Sequence, residues 1–350
     1  MTPEKLFVGP GVRLNARAWT KSLTAAKHVA LVSESGAWKR FGPGVEKALK
    51  RAGLKVHRHL LPPGESAKTW ASVEELMTSM LQEGIGRDGA LVALGGGSVT
   101  DSAGFAASIY LRGIPWVSVP TTLLGQLDSG LGGKTGINLS GGKNLAGSFH
   151  RPRAVVCDSE VLKTLPPRER ISGFGEALKY GLVFDPSMWR LMTDNWDALM
   201  EGDPVLTARV VARGASWKTK IVAQDEFETK GPRELLNFGH TLGHALESAA
   251  GLGSLRHGEA VVWGMRAALR LSVTCARLSP SFALEADRFL ATLPVPLPRR
   301  VDPLRLLKIT KQDKKARGGR ARFVLLRAPA KPVVAFVADD VILRTVRELL

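Results

Sequence analysis

Three of the chain's seven histidines lie within 18 residues. His240 and His244 stand at i and i+4 in the run Leu236-Asn237-Phe238-Gly239-His240-Thr241-Leu242-Gly243-His244-Ala245-Leu246-Glu247, so on a helix they share one face. His257 follows 13 residues after His244, in His257-Gly258-Glu259. Imidazoles gathered with a carboxylate are a common donor set for a catalytic divalent metal that keeps an open position. The helical segment Gly175-Glu176-Ala177-Leu178-Lys179-Tyr180 offers Glu176 as that carboxylate. A histidine pair on one helix face is more often structural, but a third histidine and an available glutamate turn the reading toward metal. A zincin protease is excluded, because Thr241 follows His240 where H-E-x-x-H requires its general base. His57 and His59 alternate along an extended segment and read as solvated, while His28 and His150 carry no local partner signal.

A second chemical signal is the run from Ala90 to Asp101, a strand, then Gly95-Gly96-Gly97, then a helix start. That geometry lets backbone N–H groups approach a pyrophosphate at the positive end of a helix. Thr100 occupies the last glycine position of G-x-G-x-x-G, so a merely tight strand-to-helix turn is an equal reading. The loop from Pro120 to Thr135 contains Gly133-Lys134-Thr135, but Asp128 stands where a Walker loop needs its first glycine. What remains is a polar, glycine-rich loop with Asp128 and Lys134, followed by Lys143 and Asn144. Such a loop suits a phosphorylated, polyhydroxylated ligand better than a nucleoside triphosphate.

Positioning these groups takes more than one core. At 350 residues the chain predicts two domains. Up to Asp158, short apolar runs (His28 to Val32, Ala90 to Leu94, Trp116 to Val119) alternate with helical patterns, which predicts an α/β Rossmann-like domain with a parallel sheet over residues 1–158. The stripe Trp70, Val73, Leu76, Met77, Met80 and Leu81 reads as the core face of a helix. Residues 159–350 read as a mostly α-helical domain, with long patterns at 260–278 and 282–293 and a small hairpin over 321–327 and 332–337. Pro166-Pro167 marks the neighbourhood of the boundary.

The formal charge is +17, and residues 299–350 hold 14 Lys and Arg against 5 Asp and Glu. This stretch has only Phe323 and Phe336 for base stacking, which argues against a single-stranded nucleic-acid platform and for a solvated basic face. Cys157 and Cys275 read as buried free thiols of a reducing compartment. Residues 1–19 carry scattered charge rather than the apolar stretch of a secretory signal, and no apolar run reaches the roughly 18 residues of a membrane span. The expected location is cytoplasmic.

Taken in order, Pro63-Gly64-Glu65, Gly95 to Asp101, Tyr110-Leu111-Arg112-Gly113, the loop Pro120 to Lys134, Gly142-Lys143-Asn144, Glu176 to Gly181, Asn237 to Glu247, His257-Gly258-Glu259 and Asp313-Lys314-Lys315 resemble 3-dehydroquinate synthase, of the sugar phosphate cyclase superfamily. The resemblance implies an NAD-binding first domain, a helical metal-binding second domain and a homodimer. It implies Glu176, His240 and His257 as ligands of zinc or cobalt, with His244 a substrate contact and proton-transfer aid. Asp128, Lys134, Asn144, Lys179, Lys218, Arg233, Asn237, Lys314 and Lys315 match the polar substrate pocket, and Arg112 matches an arginine that reaches the partner subunit's site. For NAD the matching positions are Glu65, Lys68, Gly96, Gly97, Asp101, Thr121, Thr122, Lys134 and Lys143, with Glu34 where the family meets the adenosine ribose. The implied activity is cyclisation of a seven-carbon phosphorylated keto-acid sugar in the shikimate pathway, which leads to aromatic amino acids. Another sugar phosphate cyclase of secondary metabolism and a metal-dependent polyol dehydrogenase are the rival functions.

Overall fold

The computed structural model describes residues 5–23, 26–226, 231–251, 254–298, 301–312 and 321–350. Its chain divides into two compact units, one of residues 1–165 and 201–223, the other of residues 166–200 and 224–350.

The first unit is built on six parallel strands: β1 Lys5–Gly9, β2 His28–Glu34, β3 Lys55–Leu61, β4 Ala90–Gly95, β5 Trp116–Pro120 and β8 Ala154–Asp158. Their order is β1-β8-β5-β4-β2-β3. β4, β5 and β8 are buried along their whole length, as expected of central strands covered by helices on both faces. β6 Lys134–Leu139 and β7 Gly142–Phe149 form a separate antiparallel ribbon. The helices Ser35–Arg51 and Gly97–Ile109 start directly after β2 and β4, so both present their N-termini at the carboxyl ends of the strands.

Among the described residues of the second unit, the regular elements are helices apart from the antiparallel hairpin β9 Arg322–Ala328 and β10 Lys331–Phe336. Its core joins Leu242, Leu246, Trp263 and Leu271 to Phe323 and Leu325 of β9. Pro166-Pro167 does not break a helix but begins one, Pro167–Val183, because the N–H that proline lacks is unneeded at the first helical position.

Three expectations are corrected. Within the helix Trp70–Gln82, Val73, Leu76 and Met80 are buried, but Trp70 and Leu81 are 54% and 64% exposed, on the margins of the apolar stripe. Cys275 is exposed, at the outer side of the last turn of the helix His257–Ala276, whereas Cys157 is buried on β8. His57 and His59 are not simply solvated: His59 is buried, and their ring nitrogens lie 2.9 and 3.3 Å from Glu83 Oε2. His28 stacks on His57 with 3.2 Å between Nδ1 and Nε2.

Candidate metal centre and the turn at the parallel sheet

Three helices of the second unit carry the histidine and glutamate cluster: Pro167–Val183 holds Glu176, His240–Ala250 holds His240 and His244, and His257–Ala276 begins at His257. They pack backbone to backbone. A Cβ on Gly175 would stand 2.6 Å from the Gly258 carbonyl oxygen, and one on Gly258 would overlap the Ser172 carbonyl. A Cβ on Gly264 would likewise overlap the Gly239 carbonyl. Glycine at these close approaches sets the helices near enough for side chains next to them, Glu176, His240 and His257, to meet. The start of the third helix is fixed by Glu259, fully buried, which accepts from the Arg256 N–H at 2.8 Å and takes a two-pronged ion pair from Arg168 at 2.8 and 2.7 Å.

Glu176 is fully buried and ion-paired to Lys179 one helical turn on. Its other oxygen, Oε1, is also buried and accepts no aligned hydrogen bond; it faces His240 Nε2 at 3.3 Å and His257 Nε2 at 3.5 Å. The imidazole of His244 joins them, with ring centroids 5.2 Å from His240 and 5.7 Å from His257, and nitrogens of the three rings lie within 4.8 Å of one another. Donors placed tetrahedrally at about 2.0–2.2 Å from a zinc ion stand roughly 3.3–3.6 Å apart. A buried carboxylate oxygen without a hydrogen bond, with two imidazole nitrogens at that spacing, fits a divalent metal. His244 is close enough to be a further donor or to face a ligand of the ion.

The electrostatics agree with that fit. Burial pushes the His240 ring down to about 4, and the Lys179 ammonium adds to the effect, so His240 is neutral at pH 7 with a lone pair to give. For Glu176 burial works against the charged form, but Lys179 and His240 outweigh it and hold the carboxyl well below the usual range. Burial also opposes charge on His257, yet Glu176 and Glu247 prevail and raise it to about 10.

The first unit gathers a different set. Gly96 and Gly97 lie at the turn from β4 into the helix Gly97–Ile109, with Thr122 and Ser129 packed against them. Lys68 Nζ donates to Asp101 Oδ2 at 2.6 Å and to Asn144 Oδ1. Asn138 closes the network, donating to Glu65 at 2.7 Å and accepting from the Asn144 N–H at 2.9 Å. Burial raises the Asp101 carboxyl to about 6 against the pull of Lys68, with Glu65 and Asp128 repelling its charge. Asp128 sits in a π-helical turn, Gly125–Ser129, and pairs with the buried Lys218 of the helix Pro204–Gln224. Thr121 is buried after β5, while Lys134 and Lys143 are exposed on the ribbon. A Cβ added to Gly133, before Lys134, would stand 2.7 Å from Arg151 Cα, so chain packing explains that glycine.

Glu34 caps the helix Ser35–Arg51, accepting from the N–H groups of Gly36 and Ala37 at 2.7 and 2.6 Å, so its carboxylate is engaged by its own backbone. Arg112 is exposed on a left-handed stretch with Leu111 and Gly113, at φ of 69°, 48° and 112°. In the second unit Arg233 is buried and donates to the Glu226 carbonyl at 2.6 Å, and Asn237 donates to the Glu234 carbonyl at 2.9 Å. Lys314 and Lys315 lie outside the described residues. Sequence reasoning missed Asn138, which had no signal. It also missed Glu247, although its i+7 spacing from His240 was available, and the Arg168–Glu259 clamp, whose partners are 91 residues apart.

Residues 58–172 match the family model described as 3-dehydroquinate synthase N-terminal, and residues 173–316 the one described as 3-dehydroquinate synthase C-terminal. The 3-dehydroquinate synthase of Rhodospirillum rubrum is 40% identical over 98% of this chain and 91% of its own, and that of Rhodopirellula baltica 41% identical over 85% and 80%. Among solved structures, 2-deoxy-scyllo-inosose synthase complexed with carbaglucose-6-phosphate, NAD+ and Co2+ superposes with a TM-score of 0.88 at 26% identity, covering 99% of this chain and 96% of that one. The 2-epi-5-epi-valiolone synthase of Streptomyces hygroscopicus subsp. jinggangensis, with NAD+ and Zn2+ bound, gives 0.87 at 29% identity, covering 100% and 97%. A glycerol dehydrogenase from Schizosaccharomyces pombe shares the fold at 17% identity, with a TM-score of 0.71 over 99% and 89% of the two chains. By sequence and by fold, this chain belongs to the 3-dehydroquinate synthase family.

Proposed function

We propose that the protein converts 3-deoxy-D-arabino-heptulosonate 7-phosphate to 3-dehydroquinate and phosphate as an NAD- and metal-dependent lyase of the cytoplasm, acting as a homodimer. The observation that carries the reading is the buried Glu176 oxygen facing His240 and His257 at 3.3 and 3.5 Å, in a chain 40% identical to a 3-dehydroquinate synthase along nearly its whole length. The substrate carbinol is oxidised, phosphate leaves by elimination, the ketone is reduced back, the sugar ring opens to free a ketone and an enol, and an intramolecular aldol between them closes the carbocycle, so no net redox change remains. When bound, NAD+ supplies the hydride acceptor and donor, and a Zn2+ or Co2+ ion supplies a Lewis acid that acidifies the carbinol.

The chain's own residues do the holding and the proton work. Glu176, His240 and His257 would hold the metal, and Lys179 keeps Glu176 ionised. Gly96 and Gly97, at the helix N-terminus, are assigned to the NAD pyrophosphate, and Lys68, fixed by Asp101 and Asn144, to the same cofactor. Glu65, Thr121, Thr122, Lys134 and Lys143 complete the assignment to NAD. Lys218 and Arg233 are assigned to the substrate carboxylate; Lys134, His244, Lys314, Lys315 and Arg112 to its phosphate. Asp128 keeps Lys218 in place through their ion pair. Asn144 and Asn237 are assigned to substrate hydroxyls.

The test is a product assay with the keto-acid phosphate, NAD+ and Zn2+. Phosphate and dehydroquinate should appear in equal amounts with no lasting absorbance of NADH at about 340 nm, since the cofactor is regenerated in each turnover. Turnover of sedoheptulose or glucose phosphates in place of the keto acid would make the protein a different cyclase. Accumulating NADH would make it a polyol dehydrogenase.

A further inference from the structure

His257 has a carboxylate at each end of its ring. Glu176 Oε1 lies 3.5 Å from Nε2, and Glu247 Oε2 lies 3.5 Å from Nδ1. A neutral imidazole offers one N–H and one lone pair. If Nε2 gives its lone pair to a metal beside Glu176, the proton must sit on Nδ1, where an acceptor fixes both the tautomer and the plane of the ring.

Glu247 is brought there by helical geometry. His240, His244 and Glu247 stand at i, i+4 and i+7 of the helix His240–Ala250, so the carboxylate lies on the face that carries the cluster. His240 has a counterpart of another kind: its Nδ1 is 3.2 Å from the Phe238 carbonyl oxygen. The two rings therefore have unlike acceptors behind them, one a neutral carbonyl and one a charged carboxylate. The charged one makes its imidazole the stronger donor.

We propose that Glu247 is a positioning residue for the metal centre, holding the Nδ1–H tautomer of His257 and strengthening Nε2 as a ligand; this rests on the assignment of Glu176, His240 and His257 as ligands. Glu247 acts through His257 and touches no reacting atom. A purely structural role is a poor alternative, because the helices it joins already meet at the Gly239–Gly264 approach and at Gly243, where an added Cβ would stand 3.0 Å from the Ala260 carbonyl.

Metal-free protein titrated with Zn2+ against a competing chelator, and with Co2+ followed by its visible absorption, separates the possibilities. Glu247→Ala should weaken Zn2+ binding by about 10- to 100-fold, the usual effect of losing such an outer partner, and shift the Co2+ bands. The isosteric Glu247→Gln keeps an acceptor without its charge and should lose less, with the unfolding midpoint of the metal-free protein unchanged in both. Zn2+ affinities within twofold of the unsubstituted protein in both variants, with the same Co2+ spectrum, would overturn the proposal. Failure of the unsubstituted protein to bind either ion would overturn the ligand assignment beneath it.

Discussion

The cluster in the second unit and the network in the first are held together by opposite means. Around Glu176 the backbone does the work: Gly175, Gly258, Gly239 and Gly264 let three helices touch, and the side chains have little choice of where to point. Around Lys68 the side chains do the work, with Asp101 from a helix, Asn144 and Asn138 from the antiparallel ribbon and Glu65 from a short helical turn tied by hydrogen bonds. A metal needs its donors fixed within a fraction of an ångström, which rigid packing provides. A nucleotide contacted by loops and turns tolerates, and its entry requires, more movement. The comparison predicts that backbone changes break the first arrangement and charge changes tune the second.

The largest effect should follow Gly258→Ala. The new Cβ would overlap the Ser172 carbonyl and force apart the helices that carry Glu176 and His257. Overpacking of this kind costs about 3 kcal/mol or more, since backbone rather than a rotatable side chain must yield. Chemical denaturation should show that loss, and Zn2+ retained after dialysis should fall to background. Lys68→Ala, whose partners Asp101 and Asn144 lie in the first unit, should leave Zn2+ retention unchanged.

A smaller, graded effect comes from protons. His257 is held up to about 10 and is charged at neutral pH, whereas His240, near 4, is already neutral. A metal arriving at pH 7 must therefore displace about one proton, from His257, and its apparent affinity should fall about tenfold for each unit of pH lowered between roughly 9 and 5. Calorimetry in buffers of different ionisation enthalpy counts the proton, and chelator competition gives the slope. An affinity flat across this range would remove His257 from the ligand set.

What the sequence made legible follows the same division. The strands at 28–32, 90–94 and 116–119 were readable because central parallel strands are nearly all apolar, and the histidine cluster was readable because i, i+4 spacing is local. The thiol of Cys275 and the side chains of Trp70 and Leu81 were misplaced because periodicity locates an apolar face but not its margin. The cluster of His57 and His59 was missed because its third member, Glu83, comes from another element, at the end of the helix Trp70–Gln82. The same reason hid Asn138 and the Arg168–Glu259 clamp. Contacts between distant segments leave no periodic pattern in a single sequence, even where both partners are charged.

The smallest effect, and the one that sharpens the comparison from the side of the first unit, concerns Asp101. Its folded carboxyl keeps a proton up to about 6, against an ordinary value of 3.8, mainly because it is buried. The unfolded chain releases that proton first. The group's contribution to stability is therefore complete below about 4 and is lost as pH rises to about 6, by at most about 3 kcal/mol. Asp101→Asn removes the titration, so denaturation midpoints at intervals between pH 4 and 7 should rise for the variant relative to the unsubstituted protein as pH increases. Parallel curves would mean that Lys68 fully offsets the burial of the carboxylate, in which case the ion pair is a fixed part of the fold rather than an adjustable charge beside the glycine turn.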